Sequence, residues 1–484
     1  MRSQQPINRR TFLRVTALGV VGTAVLAACA PAAPPTPTPA PAQPAASPTA
    51  ASAAKAAAPT PTAASATLAT PVAKTAGSAE TVTITLGYRS GNKDYFDDRT
   101  KAFATAQPTI KIDPRPIAGS NDQYYPKLTA EMAAGNASDV FWVSTGFGLY
   151  DSYAWRKQLI AADDFVKRDK IDLGQWYKAA IETLTLDGKL YALPWGMHPD
   201  EIGLYYNKEM LDKAGVAPPD VDKETYQSLA EKAVKLTSRS GTHTDVWGLD
   251  TEVGPFSTGL ISFVRSFGGD FMTDDRKQAA VDRPEVLECF QWLYDVRTKQ
   301  KCSPRLSDMP AGSIENSFVA GRVAMFNGGV WEMSLTQKIG QRFTLAMSLI
   351  PKGPKGVRGS MAHVDTISGY AKGKYLDQAF KLITFLTDKE SGVQNALFNS
   401  FWGARPDVWA DPRPREKYGA MVDTWKLATE NTMPLDEPDN FRLVELNTVM
   451  DNTLAPLWNG DTTPKEIVPK LQTAMNAVLA KPRE

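Results

Sequence analysis

An α/β fold in two domains is predicted for residues 81–484. Three observations predict it. Short apolar runs alternate with amphipathic helix patterns from Val82 onward. The globular part holds about 400 residues, more than a single hydrophobic core usually organises. Composition also changes sharply near residue 80. Residues 30–80 are almost entirely Ala, Pro, Thr and Ser, with lysine only at Lys55 and Lys74. Such a stretch cannot bury enough apolar surface to offset its chain entropy.

The elements follow in order. Val82 to Tyr88 alternates and then reaches a loop, as a first strand does. Tyr95 to Ala106 has a helix pattern with Phe96 and Phe103 on one side, and Pro108 ends it. Ile110 to Ile112 is a short second strand, Tyr124 to Ala134 a helix, and Asp139 to Val143 an apolar third strand. Strand, helix, strand, helix, strand at these spacings predicts a largely parallel sheet. Strands are also predicted near Leu190, over Ile202–Tyr206, Ala324–Asn327 and Phe343–Leu349. Helices are predicted over Asn207–Ala214, Tyr226–Thr237, Phe256–Phe267, Val286–Lys299, Trp331–Lys338 and Leu376–Leu386. Three more close the chain, over Tyr418–Glu430, Phe441–Thr453 and Ile467–Leu479.

The N-terminus reads as an export signal over residues 1–28. Arg2, Arg9, Arg10 and Arg14 precede an apolar stretch from Val15 to Ala28, shorter than a bilayer-crossing helix needs. Asn8 to Arg14 resembles a twin-arginine export motif. Leu26-Ala27-Ala28-Cys29 resembles a lipobox, which makes Cys29 the lipidated first residue of the mature chain. Residues 29–80 then form a linker that holds the folded part clear of a membrane. Proline keeps such a chain extended at roughly 3 Å per residue. The expected location is the extracytoplasmic face of the cell membrane, held by the lipid anchor.

Charge and chemistry narrow the function classes. The 54 basic and 53 acidic residues balance, so no nucleic-acid partner is expected. Besides Cys29, only Cys289 and Cys302 are present. An oxidising exterior permits a disulfide between them, and a buried thiol at Cys289 competes with that reading. His198, His243 and His363 have no second His or Cys at ligand spacing, so no metal site is expected. The sequence lacks a nucleophile elbow, a phosphate loop, a zincin motif and an EF-hand loop. His363-Val364-Asp365 could supply two members of a triad, but alone reads as a surface pair. No catalytic residue and no cofactor are expected.

Aromatic residues near loops stand out instead. Tyr88 and Trp142 lie at strand ends, Trp195 follows a strand and a proline, and Phe256 follows Gly254-Pro255. Trp331 follows Gly328-Gly329, and Arg405 is flanked by Trp402 and Trp409. Aromatic faces stack on the apolar faces of sugars, while Asp, Asn and Arg take the hydroxyls.

Six stretches together carry a resemblance. They are Asp122 to Leu128, Ala134 to Trp142, Tyr191 to Trp195, Leu204 to Gly215, Phe318 to Met325 leading to Trp331, and Ser368-Gly369-Tyr370 followed by Phe380 to Phe385. In this order and spacing the chain resembles the sugar-type extracellular solute-binding proteins of bacterial ABC importers, the family that includes maltose-binding protein. The resemblance implies a periplasmic-binding-protein-like fold of type II: two α/β lobes, a hinge and a cleft between them. It implies a first lobe of 81–196 plus 358–400 and a second of 197–357 plus 401–484. It places ligand-binding positions at Tyr88, Arg89, Asn121, Asp139, Trp142, Ser144, Trp195, Gly196, Phe256, Asn327, Trp331, Ser368, Gly369 and Arg405. Met197 to Glu201 stands where relatives carry a shorter turn, so His198, Asp200 or Glu201 touches either ligand or hinge. The implied partners are a mono- or oligosaccharide and the permease subunits of an importer, with the chain acting as a monomer. Rival readings are a binding protein for a polyamine, glycerol phosphate or metal chelate, and an envelope glycoside hydrolase, which would need two carboxyls across a cleft.

Overall fold

The structure is a computed structural model that describes residues 81–484, apart from 120, 252, 255–258, 309–313, 400–402, 436 and 484. The expected Cys29 anchor, the linker and Phe256 therefore lie outside the described residues. Two sheets organise the chain. The first holds β1 (Val82–Arg89), β2 (Ile110–Ile117), β3 (Val140–Ser144), β4 (Leu193–His198) and β8 (His363–Gly369), in the order β2-β1-β3-β8-β4. The second holds β5 (Gly203–Asn207), β6 (Met325–Gly328) and β7 (Leu345–Leu349), in the order β6-β5-β7.

The expected parallel pairing holds for β2, β1 and β3. The largely parallel sheet is otherwise corrected, because β8 returns from the far end of the chain and runs antiparallel between β3 and β4. The second sheet is antiparallel throughout. Burial explains these strands. In β1, Ile84, Leu86 and Tyr88 alternate into the core. All residues of β3 and β8, which are central, and of the edge strand β4 are buried, as strands covered on both faces require.

Each sheet has its own core. The first draws on residues 84–197 and 362–386, with Ala404. The main second core draws on residues 202–361, Ala396 and 409–479. A helix over Leu376–Leu386 buries Phe380, Leu382, Ile383 and Leu386 against the first sheet. Helices over Leu443–Asn459 and Pro464–Leu479 build much of the second, the latter opened by a capping box of Thr463 and Glu466.

Two segments join the halves ahead of β5 and β8. One runs from His198 to Ile202. There Asp200 adopts left-handed backbone (φ 62°), and its carboxylate accepts a hydrogen bond from Ser262 Oγ at 3.1 Å. The other runs from Arg358 to Ala362. Gly359 N donates to Ser266 Oγ at 2.8 Å, and Ala362 N donates to the Met433 carbonyl at 2.6 Å. Both segments thus lean on the helix over Leu260–Phe267 or its surroundings.

Cys289 and Cys302 are free, buried thiols rather than a disulfide. Cys289 packs in the main second core and Cys302 in a satellite cluster with Leu204, Leu249 and Ala324. Burial pushes both thiols up, away from thiolate chemistry. No helix among the described residues is long and apolar enough to cross a membrane.

Candidate functional site

The C-terminal end of β3, the start of β8 and the end of β4 meet at one edge of the first sheet. Asp365 lies opposite Ser144 on one side and Gly196 on the other. Two residues earlier, His363 lies opposite His198, with ring centroids 4.7 Å apart. Gly146 makes room for this packing: a Cβ there would meet His363 Nε2 at 1.7 Å. From the second half of the molecule, Trp331 stands edge-on to His198 at 5.0 Å and 85°. A run of rings continues into the first lobe. Phe147 lies 5.7 Å from His363, Tyr125 4.9 Å from Phe147, and Trp142 5.6 Å from Tyr125. The Arg89 guanidinium sits 4.4 Å over Trp142, and its Nη1 donates to Asn121 Oδ1 at 2.7 Å.

The electrostatics follow from burial. Both ring nitrogens of His363 lack a hydrogen-bond partner. Burial pulls this imidazole down to about 4, so it is neutral near pH 7. Burial and then the charge of His363 hold His198 well below its ordinary value. Burial pushes the Asp365 carboxyl up to about 7, and the Arg89 charge and the Ser144 hydroxyl restrain it.

The second lobe positions its contribution through hydrogen bonds. Asn327 Nδ2 donates to the Glu201 carbonyl at 3.0 Å and so ties β6 to the crossing segment. Trp425 Nε1 donates to Tyr205 Oη at 3.0 Å, and Tyr205 Oη donates to the Gly329 carbonyl at 2.8 Å, two residues before Trp331. All of these groups are buried. Tyr205→Phe would leave the Trp425 indole N–H without this partner and the Gly329 carbonyl with only the Glu332 N–H. We expect a loss of about 2 kcal/mol in urea unfolding; a loss under about 0.5 kcal/mol would show that the chain through Tyr205 carries no weight.

Beside Thr145 a cavity of about 310 Å³ opens between the lobes. Thr145, Asp151 and Leu186 line it from one side, and Arg276, Glu437 and Phe441 from the other. That is within the size range of small-molecule sites.

Residues 89–393 match the model of the family described as bacterial extracellular solute-binding protein. The chain belongs to this family. A putative binding protein of Brucella abortus is 23% identical over 306 residues, 63% of this chain and 71% of that protein. The maltotriose-binding protein of Pyrococcus abyssi is 23% identical over 290 residues, 59% of this chain and 58% of that protein. An ABC substrate-binding protein of Listeria monocytogenes, solved in complex with cycloalternan, superposes with a TM-score of 0.72 at 20% identity, covering 83% of this chain and 99% of the other. The fold is thus the two-lobed α/β fold of periplasmic binding proteins, and the chain is an extracellular solute-binding protein.

In this binding protein the expected site residues separate into two groups. Arg89, Asn121, Trp142, Ser144, Gly196, Asn327 and Trp331 lie at or beside the edge where the lobes meet. Phe256 lies outside the described residues, and the structure does not bring the remaining ones there. Tyr88 stacks on Phe96 at 4.3 Å, and Trp195 stacks on the same ring at 5.8 Å and donates to Tyr95 Oη at 2.9 Å. Both rings belong to the first core. Asp139 stands just before β3, at the opposite end from Ser144, and accepts from Thr85 N and Oγ1. Ser368 and Gly369 pair with Phe141 and Val140, toward that same far end. A Cβ on Gly369 would meet Ile160 at 2.2 Å. Because β8 is antiparallel, its first residues reach the cleft and its last do not. Arg405 is engaged by Asp407 and Gln175, over the Trp176 ring. The expectation overlooked Asp151, Arg276, Glu437 and Phe441, and read His363 and Asp365 as surface residues. The cleft edge takes His363 and Asp365 instead, both buried.

Proposed function

We propose that this chain is a lipid-anchored extracytoplasmic binding protein that captures a sugar or sugar-like solute between its lobes and hands it to the permease subunits of an importer. Trp331 carries the reading. It is half-buried, it comes from the second lobe, and it packs against His198 beside the aromatic and Arg89 cluster of the first. Stacking faces with nearby polar groups suit a sugar ring. The maltotriose-binding relative supports the same solute class. The lobes part near residues 198–202 and 358–362, and again in the stretch between Leu386 and Trp409. Solute contacts made by both lobes favour the closed form, which the permease reads. The chain works as a monomer without cofactor, and no bond is broken. Cys29 carries the lipid, reached through the twin-arginine signal, and residues 29–80 are the leash.

A thermal-shift screen of the full chain against mono- and oligosaccharides tests the solute class. Stabilisation by at least one sugar is expected; a shift with another solute class alone overturns the sugar assignment. For a sugar that binds, Trp331→Ala is expected to weaken affinity roughly tenfold, about 1.4 kcal/mol. Unchanged affinity by calorimetry would remove Trp331 from the site. Palmitate labelling that survives Cys29→Ala would overturn the anchor.

A further inference from the structure

The interlobe cavity has a charge pattern that a neutral solute leaves unexplained. Six of its lining residues are acidic: Asp151, Glu182, Asp187, Asp274, Glu437 and Asp439. Two are basic, Arg276 and Arg483. Some of these are already committed. Arg483 pairs with Asp439 at 2.8 Å, and Glu182 pairs with Lys178 at 3.0 Å. Asp151, Asp187, Asp274 and Glu437 are left facing the single charge of Arg276.

Glu437 is the decisive group. It is 3% exposed, and neither carboxyl oxygen meets an N–H or hydroxyl donor. What faces it is the Asp151 carboxyl from the other lobe. Two carboxyls can hydrogen-bond only if one keeps a proton, and two ionised ones repel in a desolvated site. Burial, followed by the negative charge of Asp151, accordingly drives Glu437 well above its ordinary range, while Arg276 restrains it. Closing the lobes near neutral pH therefore brings like charges together unless a proton or a cation enters with the solute.

We propose that the solute carries a positively charged nitrogen, an ammonium or substituted ammonium, that binds in this cavity between Asp151 of one lobe and Glu437 of the other. This rests on the interlobe reading of the solute site and narrows its solute class. An ammonium N–H supplies the donors that Glu437 lacks, and its charge turns the repulsion across the cleft into a bridge. A metal ion suits the place less well: among the described residues, no group of three or more His, Cys, Asp or Glu is arranged to hold one. An amino sugar satisfies both the aromatic edge and the acidic cavity.

The test is calorimetry on the full chain at pH 7.5. The probes are glucosamine oligosaccharides, their N-acetylated counterparts, neutral maltooligosaccharides and spermidine. At least one amine-bearing probe is expected to bind tenfold or more tighter than its neutral analogue. Glu437→Gln and Asp151→Asn should each erase that preference, with thermal unfolding of both variants still cooperative. The inference is overturned if neutral sugars bind and no amine-bearing probe binds better, an outcome that leaves the solute-binding reading standing. It is equally overturned if an amine-bearing probe binds with the same preference in both variants. Binding of spermidine alone would uphold the cationic site while sinking the sugar assignment.

Discussion

Gly359→Ala destabilises the protein by about 3 kcal/mol in denaturant unfolding and disturbs the joint between the lobes. Gly359 lies in the segment that carries the chain from β7 back to β8. A Cβ there would meet Ser266 N at 2.4 Å, the Ser262 carbonyl oxygen at 2.3 Å and Arg265 Cβ at 2.5 Å. Two of these three are backbone atoms of a buried helix, so no side-chain rotation relieves the contact. Overpacking of this kind costs about 1–3 kcal/mol, and the absence of a flexible neighbour sets the upper end. The crossing must shift, and it carries the Ser266 Oγ and Met433 contacts that position His363 one residue beyond Ala362. Solute affinity should fall with stability. Gly91→Ala is the reference, because nothing lies within 4 Å of a Cβ there; it should stay within about 0.5 kcal/mol of the parent. If Gly359→Ala behaves like that reference, the segment is not tightly seated on the helix.

The sequence discloses those parts of the fold whose pattern is local. Alternation marks β1, and helical spacing marks Tyr226–Leu236 and Leu376–Leu386, where the structure puts helices. β8 escapes such reading because His363-Val-Asp-Thr-Ile-Ser-Gly369 has polar residues at positions that are all buried. Their partners lie elsewhere in the chain: Thr366 Oγ1 donates to the Val143 carbonyl, and Val364 N donates to Thr145 Oγ1. No local period records such pairing. The short helices Tyr150–Trp155, Ala162–Asp169 and Lys178–Thr183 span too few turns to show one either. The same distinction governs the site. Trp142 and Trp331 were legible as rings near a strand end and a turn, and Arg89 through the family resemblance. The direction of β8, which exchanges Ser368-Gly369 for His363 and Asp365 at the cleft, is a tertiary fact. So is the meeting of Asp151 with Glu437, whose local sequences look like solvated surface.

The neighbouring His363 and Asp365 make opposite demands on pH, and substitution should expose each. The His363 imidazole falls from 6.5 to about 4 on burial, so its contribution to stability is complete above pH 6.5 and is lost as pH falls toward 4. That swing is worth about 3 kcal/mol. The Asp365 carboxyl rises from 3.8 to about 7, so its contribution is complete below pH 3.8 and is lost as pH rises through 7. That swing is worth about 4 kcal/mol in the opposite sense. Between about pH 4 and 6.5 the two largely cancel, and the parent's stability should change little there on their account. His363→Gln removes the acid-sensitive member: relative to the parent, this variant should gain about 3 kcal/mol as pH is lowered from 7 to 4. Asp365→Asn removes the base-sensitive member and should gain a similar amount, relative to the parent, as pH is raised from 4 to 8. Urea unfolding of the three proteins across this range measures both slopes. Parallel stability curves for parent and variants would mean that the cleft edge admits enough water to ionise these groups freely. In that case the buried His198–His363–Asp365 edge would open to solvent whenever the lobes stand apart, and its titration would report lobe opening rather than folding.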